Sequence, residues 1–372
     1  MAGMRLVYVS PVPWWSFAQR PHKFVEWFHE RTGADVFWID PYPARLPTWR
    51  DLARLWSHDV GMQYLNQAPP PWLSLRQPFA LPLEPVPVLA GVNRRFWRDI
   101  AREVKSFADG QQAMLVIGKP SLLAQDLMAG PSWQRVVYDA MDDFPAFFGG
   151  LSRVAMAARE EKIAGQATDV WASSTPLLQR WSRLRAETRL VPNGLARDSV
   201  AGLFRRSTAP APVFGYVGTI AQWFDWDWVI RLARSYGQTT VRLIGPRHGP
   251  QPAQLPPNIE LHPPCDHRNA LERMQHFDVG LIPFRRNRLT DAVDPVKYYE
   301  YKALGLAVLC TDFGQMRWRH DEEGVFVAGE NAEFRPVVDA SLAYRATPEA
   351  AERFRQKHGW EAVFDRAGLL NR

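Results

Sequence analysis

Residues 294–312 read DPVKYYEYKALGLAVLCTD. Asp294 can cap a helix N-terminus, Pro295 suits the first helical position, and Gly305 suits the C-terminal end. An apolar strand, Ala307–Cys310, follows at once. Lys297 then falls in the first helical turn, where a cation opposes the helix dipole at a cost of about 0.3–1 kcal/mol. The opposition disappears if Lys297 and the nearby helix N–H groups share an anion such as a diphosphate. The plainer alternative pairs Lys297 with Asp294. Glu300 lies one turn on, on roughly the same face, placed to accept hydrogen bonds from the hydroxyls of a sugar.

Working outward, short apolar runs alternate with helical patterns, the signature of stacked βαβ units and parallel sheets. Upstream, strands are expected at Val213–Val217, Val241–Ile244, Ile259–Leu261 and Val279–Ile282, and helices at Asp227–Tyr236 and Ala270–His276. Downstream, Val325–Val327 reads as a strand and 349–368 as a terminal helix carrying Trp360. The first half repeats the theme. Its strands are Leu6–Val9, Val36–Ile39, Met114–Ile117, Val136–Tyr138 and Val170–Ala172; its helices are Pro21–Arg31, Val92–Phe107 and Arg153–Gln166. The Pro- and Trp-rich segment 41–87 shows little periodicity and reads as an irregular cover. Pro192-Asn193-Gly194 is a strong turn, and the polar stretch after it ends in APAP. This divides the chain into 1–194, 195–348 and the terminal helix 349–372. Two doubly wound halves in tandem would leave a cleft at the C-terminal ends of both sheets, where open α/β folds bind ligands.

The chain has 372 residues, enough for two cores, with 46% hydrophobic and 23% charged residues. Its formal charge is +6, carried by 38 Arg and only seven Lys, and its pI is near 9.4. Such a balance favours anionic partners: nucleotide phosphates, anionic lipid heads or nucleic acid. Cys265 and Cys310 lack CxxC spacing, which points to a reducing compartment. The N-terminus reads as a strand rather than a signal peptide, and no run of 18 apolar residues occurs. A cytoplasmic protein is expected.

Four local patterns could carry chemistry. The loop around Gly218 and Thr219 follows a strand and leads to a helix near Asp225, so a backbone approach to phosphate and a tight turn are both open. Asp225-Trp226-Asp227 has the look of a metal-holding DxD pair, but it straddles a helix start, where Asp is ordinary as a cap. No His/Cys/Asp spacing elsewhere suggests a metal site. Asp139, Asp142 and Asp143 crowd one strand end; crowded carboxylates raise each other's pKa, which suits a general base, and acids are also normal in turns. In the first loop, Trp14, Trp15 and Gln19 suit sugar stacking and hydrogen bonding, and Arg20 or His22 could meet an anion. Arg285 and Arg286 follow the strand Val279–Ile282 and either face the cleft or form a solvated basic loop. The helix 92–107 carries Arg94, Arg95, Arg98, Arg102 and Lys105 beside an apolar face, which could lie on anionic lipid or pack on a sheet.

Taken together, QRPHKF, VVYDAMDDF, DVWASSTPLLQRW, RLVPNG, FGYVGTIAQWFDWDW, VRLIGP, DVGLIPFRRNRLT and DPVKYYEYKALGLAVL occur in the order and spacing of a family. The chain resembles GT-B glycosyltransferases of the GT4-like group, of the teichuronic acid and exopolysaccharide type. The resemblance implies an α/β GT-B fold of two Rossmann-like domains with a C-terminal helix crossing back to the first. It implies transfer from a nucleoside diphosphate sugar, UDP or GDP form, to a saccharide or lipid-linked acceptor, with no metal or other cofactor and no nucleic acid partner. Lys297 matches the lysine that meets donor phosphates, Glu300 the ribose contact, and Gly218 and Thr219 the loop beside the diphosphate; Arg285 and Arg286 would assist. In related inverting members an Asp in a YxxxD pattern acts as base, and Asp142 holds that position. Trp14, Trp15, Gln19, Arg20 and His22 would serve the acceptor, with peripheral contact to an anionic membrane. Two departures stand out. Retaining GT4 enzymes carry Glu-x7-Glu, and Ala292 stands where the first Glu would be. The Arg and Lys that usually follow the glycine loop are missing; Gln222 and Asp225 stand nearby. A GT-B nucleotide-sugar epimerase and a non-catalytic glycan or lipid adaptor are the rival readings.

Overall fold

The computed structural model describes residues 3–43, 68–86, 91–206, 210–329 and 333–370. The chain divides into two compact units, Met1–Ser173 with Leu177–Leu190, and Ser174–Pro176 with Val191–Arg372.

The first half runs β1 (Met4–Val9), α1 (Arg20–Thr32), β2 (Asp35–Ile39), β3 (Leu73–Arg76), α2 (Arg98–Ala108), β4 (Gln112–Ile117) and α3 (Leu122–Met128). It continues through β5 (Arg135–Ala140), α4 (Gly150–Gln166), β6 (Asp169–Ala172), α5 (Thr175–Ser182) and β7 (Arg189–Leu190). Its strands form one sheet in the order β3-β2-β1-β4-β5-β6-β7, and every pairing is parallel. Helices cover both faces of such a sheet, which is why Leu6, Val7 and Tyr8 are all fully buried with no polar alternation. The strand order reverses between β1 and β4, the position at which open α/β sheets bind ligands. Gly118, at the end of β4, belongs to this crowded point. A Cβ there would lie 2.9 Å from Pro11 and 3.2 Å from Met141, which places the ends of β1, β4 and β5 side by side.

The second half runs β8 (Val213–Val217), α6 (Trp226–Ser235), β9 (Thr240–Ile244), β10 (Ile259–His262), α7 (His267–Met274), β11 (Val279–Ile282) and α8 (Val296–Ala303). It ends with β12 (Ala307–Cys310), β13 (Val325–Val327), α9 (Phe334–Ala343), α10 (Pro348–His358) and α11 (Trp360–Arg366). Its sheet has the order β10-β9-β8-β11-β12-β13, again wholly parallel. Here the switch lies between β8 and β11, where Gly215 pairs with Gly280. A Cβ on Gly215 would strike the Phe277 ring at 2.1 Å, and one on Gly280 the Tyr301 ring at 2.4 Å. Both are strand glycines that admit an aromatic ring against the sheet.

Several expectations need correction. Within 41–87, β3 pairs with β2 in parallel register, although residues 44–67 and 87 of that stretch lie outside the described residues. The expected helix 92–107 is a short 3-10 turn, Gly91–Arg95, followed by α2. It breaks where Trp97, 2% exposed, turns inward and its indole N–H donates to the Phe79 carbonyl at 2.9 Å. The terminal helix is two helices meeting at Gly359. That glycine forms a bridge with Leu195 and is approached by Arg197 too closely for a Cβ. Asp294 does not cap α8, whose cap is Pro295; its carboxylate is buried in an ion pair instead.

Candidate functional site

In the first domain, β5 delivers the acidic cluster. Asp139, fully buried, is locked to Arg20, itself 4% exposed. Arg20 Nε donates to both carboxylate oxygens at 3.2 and 2.9 Å, and Nη2 donates to Oδ1 at 2.8 Å. Asp143 accepts from Arg180 at 2.8 Å, and Arg180 also reaches Glu160 at 2.8 Å, which receives the Tyr138 hydroxyl at 2.6 Å. Asp142 stands between these pairs, half-buried, and no hydrogen bond or ion pair engages its carboxylate among the described residues. Burial pushes its pKa up to about 7; Arg20 opposes, while Asp143 and Asp139 add to the rise. An unbonded carboxylate poised near neutrality can take a proton from a hydroxyl.

The first loop folds over the same end of the sheet. Asp40 anchors it, accepting from the Trp14 backbone N–H and the Trp38 indole, each at 2.8 Å. Trp14 packs edge-on against Trp38 with ring centroids 5.1 Å apart. His22 is spent internally. Nδ1 accepts from the Gln19 N–H at 3.2 Å, and Nε2 lies 3.0 Å from the Trp14 carbonyl. Burial lowers its pKa, against the raising effect of the Trp14 carbonyl. Of the five loop residues singled out in the sequence, Trp14, Trp15 and Gln19 keep partial exposure, whereas Arg20 and His22 are turned inward. Asp40 carries no distinguishing sequence signal, because an Asp at a strand end is common in turns.

In the second domain, the loops after β8 and β9 press together. Gly218 N–H donates to Ile244 O at 2.9 Å, and the Tyr216 hydroxyl donates to Thr219 O at 2.9 Å. Gly218 has φ 151° and Gly245 φ 146°. A Cβ on Gly245 would fall 2.1 Å from the Gly218 carbonyl oxygen, and one on Gly218 would come within 3.7 Å of Lys297 Cε. The glycine loop therefore lies directly against the Lys297 side chain. Lys297 does not pair with Asp294. Its ammonium sits 2.7 Å from Glu300 Oε2, one turn along α8, while His267 Nε2 lies 2.9 Å from the other oxygen. Burial alone would raise the Glu300 pKa, but Lys297 and His267 overcome it and hold the carboxyl down to about 2. The group is thus a permanent acceptor. Gly218, Lys297 and Glu300 lie together, with Thr219 the next residue along the β8 loop.

His267 is the member of this cluster that sequence spacing does not reveal. Its only signal is Asp266, whose side chain caps α7 by accepting from Asn269 N–H at 2.9 Å and so sets His267 at the helix start. Beneath this cluster Asp294 pairs with buried Arg319 at 2.8 Å, and its other oxygen accepts from the Tyr299 hydroxyl at 2.7 Å and Asn193 N–H at 2.9 Å. Arg285 and Arg286 occupy the exposed loop after β11. That loop is tied to the β8 loop by the Arg285 N–H to Trp223 carbonyl bond, 2.7 Å. Each arginine faces a carboxylate of its own, Asp227 at 3.4 Å and Asp312 at 3.6 Å. Asp225 caps α6, accepting from Trp228 N–H at 3.1 Å, so the DxD pattern is a helix start. No group of three His, Cys, Asp or Glu able to hold a metal occurs among the described residues.

Two Rossmann-like domains in tandem define the GT-B architecture, and solved structures agree with it. Sucrose-phosphate synthase from Thermosynechococcus elongatus matches 100% of this chain and 98% of its own at TM-score 0.68 and 14% identity. The lipopolysaccharide outer core galactosyltransferase WaaB, apo form, matches 98% and 99% at TM-score 0.64 and 10% identity. An E. coli structure described as trehalose-6-phosphate, bound with UDP-2-fluoro glucose, matches 98% of both chains at TM-score 0.60 and 12% identity. Identities this low establish the fold alone. No family model matches the chain. Among curated proteins, the teichuronic acid biosynthesis glycosyltransferase TuaH of Bacillus subtilis, an assignment its name marks as provisional, is 24% identical over 206 residues. That match takes in 49% of this chain, which spans about half, 51%, of the length of the relative.

Proposed function

We propose that the chain is a glycosyltransferase that moves a sugar from a nucleoside diphosphate sugar, in UDP or GDP form, to a saccharide or lipid-linked acceptor in cell-surface polysaccharide or glycoconjugate assembly. The observation that carries this reading is the cluster of Gly218, Lys297, Glu300 and His267 on the second domain. A cation held 2.7 Å from an ionised carboxylate, beside a loop with no side chain at Gly218, is suited to a diphosphate–ribose unit. The ammonium turns to the diphosphate oxygens, the Gly218 backbone lets them approach closely, and Glu300 accepts from the ribose hydroxyls. Gln222 and Asp225 supply no positive charge there, so Lys297 bears most of the leaving group's developing charge, assisted by Arg285 and Arg286.

Asp142 takes the proton of the acceptor hydroxyl as that oxygen attacks the anomeric carbon. The bond from that carbon to the diphosphate oxygen breaks, and a single displacement of this kind inverts the centre. Trp14, Trp15 and Gln19 flank the acceptor, while Arg20 and His22 are positioning residues. Arg20 holds Asp139, and His22 holds the loop. The work is expected to proceed in the cytoplasm without a metal ion. The relatives bear on this reading through their names, a UDP-sugar-bound structure and a galactosyltransferase among them.

Calorimetric titration with UDP and GDP is the test. Changing Lys297→Ala should weaken binding about 10- to 100-fold, the loss of one charge-assisted contact. An unchanged dissociation constant would remove Lys297 from the donor site. A panel of nucleotide sugars with and without acceptor separates transfer from epimerisation.

A further inference from the structure

Lys119 follows β4, where the strand order of the first sheet reverses and open α/β sheets bind ligands. Its backbone N–H donates to the Val9 carbonyl at 3.2 Å, so the residue bends over the end of β1. The side chain continues toward β2. Its ammonium donates to the Tyr42 carbonyl at 2.7 Å and lies 5.4 Å from the centre of the Tyr42 ring. A carbonyl and a ring face occupy part of an ammonium that has three N–H groups, and they leave its charge without a counter-ion.

The neighbouring acids are spent elsewhere. Glu84, 1% exposed, pairs with Arg159 at 3.0 Å and accepts from the Leu122 N–H at 2.7 Å. Asp40 accepts from Trp14, Trp38 and Gln77. No carboxylate lies within ion-pair distance of Lys119 among the described residues. Burial pushes its pKa down to about 8, with Glu84 raising it from a distance. A half-buried ammonium with no counter-ion of its own gains most from an anion brought to it. Arg20 and His22, the cations of the first loop, are turned inward and cannot take that part.

The sheet also sets a distance. β1 and β4 stand between β2 and β5, so at about 4.8 Å per strand the ends of β2 and β5 are roughly 14 Å apart. Lys119 reaches the first of these ends, and Asp142 follows the second. Trp14, whose N–H is anchored on Asp40, follows β1 between them.

We propose that Lys119 binds an anionic group of the acceptor, a carboxylate or a phosphate, carried one or two sugar rings away from the hydroxyl that Asp142 deprotonates. The acceptor is then an acidic glycan or a glycosyl phosphate, and Lys119 is a specificity-determining residue. The free N–H groups of the ammonium turn to the anion, a charge-assisted contact that a neutral sugar does not make. The link to Asp142 rests on the transferase reading; the anion site itself does not.

Tryptophan-fluorescence titration of the full chain with cellobiose, cellobiouronic acid and cellobiose 1-phosphate, without donor, is the experiment. At least one anionic probe should bind on the order of tenfold tighter than cellobiose, and added salt should narrow the gap. Which of the two does so tells a carboxylate from a phosphate. Lys119→Met should erase the preference, and Lys119→Arg should keep most of it. The preference is a ratio within each variant, so a general loss of stability does not imitate its disappearance. A lysine that merely holds the Tyr42 carbonyl would, when replaced, weaken all three probes alike, and that result overturns the proposal. So does an absence of binding by both anionic probes, or a preference that survives Lys119→Met. Transfer is read separately with donor present: its absence beside an intact preference overturns the transferase reading alone, and transfer without any preference overturns only the anion site.

Discussion

Replacing Asp142 with Asn keeps the shape of the side chain and removes its charge, so the change tests both the environment and the role of this group. Burial holds the carboxyl at about 7 against an ordinary 3.8. Each tenfold change in proton affinity is worth about 1.4 kcal/mol. The ceiling on the linked stability is therefore about 4 kcal/mol, and partial solvent access should trim this to about 2 kcal/mol. The sign follows from the raised value. Below pH 3.8 the group is protonated whether folded or unfolded, and its contribution is fully present. As pH rises toward 7 the unfolded chain ionises freely while the folded one resists, so folding loses that contribution. Urea unfolding from about pH 5 to 8.5 should show the parent falling behind Asp142→Asn by about 2 kcal/mol, with the gap level above about pH 8. In the same pH series kcat/KM of the parent should climb through about 7, and the variant should lose on the order of a thousandfold in turnover with donor affinity kept. Parallel stability curves would refute the buried, unpaired carboxyl, and retained turnover would refute the base.

Three other outcomes follow from particular contacts. Asp294→Ala strands the buried Arg319 guanidinium, paired at 2.8 Å, and should cost about 3–5 kcal/mol in chemical unfolding; a loss below about 1 kcal/mol, on the order of a surface pair, would contradict it. Gly245→Ala drives a methyl to within 2.1 Å of the Gly218 carbonyl at φ 146°. It should lower stability by about 3 kcal/mol and loosen nucleotide binding together, both read on one preparation by thermal shift with and without UDP. Glu300→Gln removes a carboxyl held at about 2 rather than 4.5. Because its contribution is complete above pH 4.5 and fades as pH falls toward 2, the parent's advantage in urea unfolding should be greatest at neutral pH and shrink in acid, by up to about 3 kcal/mol.

The alternation of apolar runs and helical patterns is enough to place eleven of the thirteen strands among the described residues, most of them because a strand buried on both faces must be written as a continuous run of Val, Ile, Leu and aromatics. The two exceptions, β3 and β7, are the edges of the first sheet. An edge strand needs less apolar cover: Leu73–Arg76 hides among prolines, and Arg189–Leu190 is only two residues long. Gly218, Lys297 and Glu300 are legible for a local reason: they lie at a strand end or a helix start, where spacing along the chain sets the geometry. The family resemblance singles out Asp142, but the local sequence, three acids at one strand end, does not choose among them. Arg20, 119 residues away, claims Asp139, and Arg180, 37 residues away, claims Asp143; only folding reveals which carboxylate is left over. The same holds for Arg20 and His22, polar in sequence yet consumed inside, and for His267 and Arg319, whose partners are distant in the chain. Periodicity is a property of neighbours along the backbone, so the sequence by itself determined elements and their order. Pairing and exposure depend on what the fold brings against each side chain, and those the tertiary structure decided.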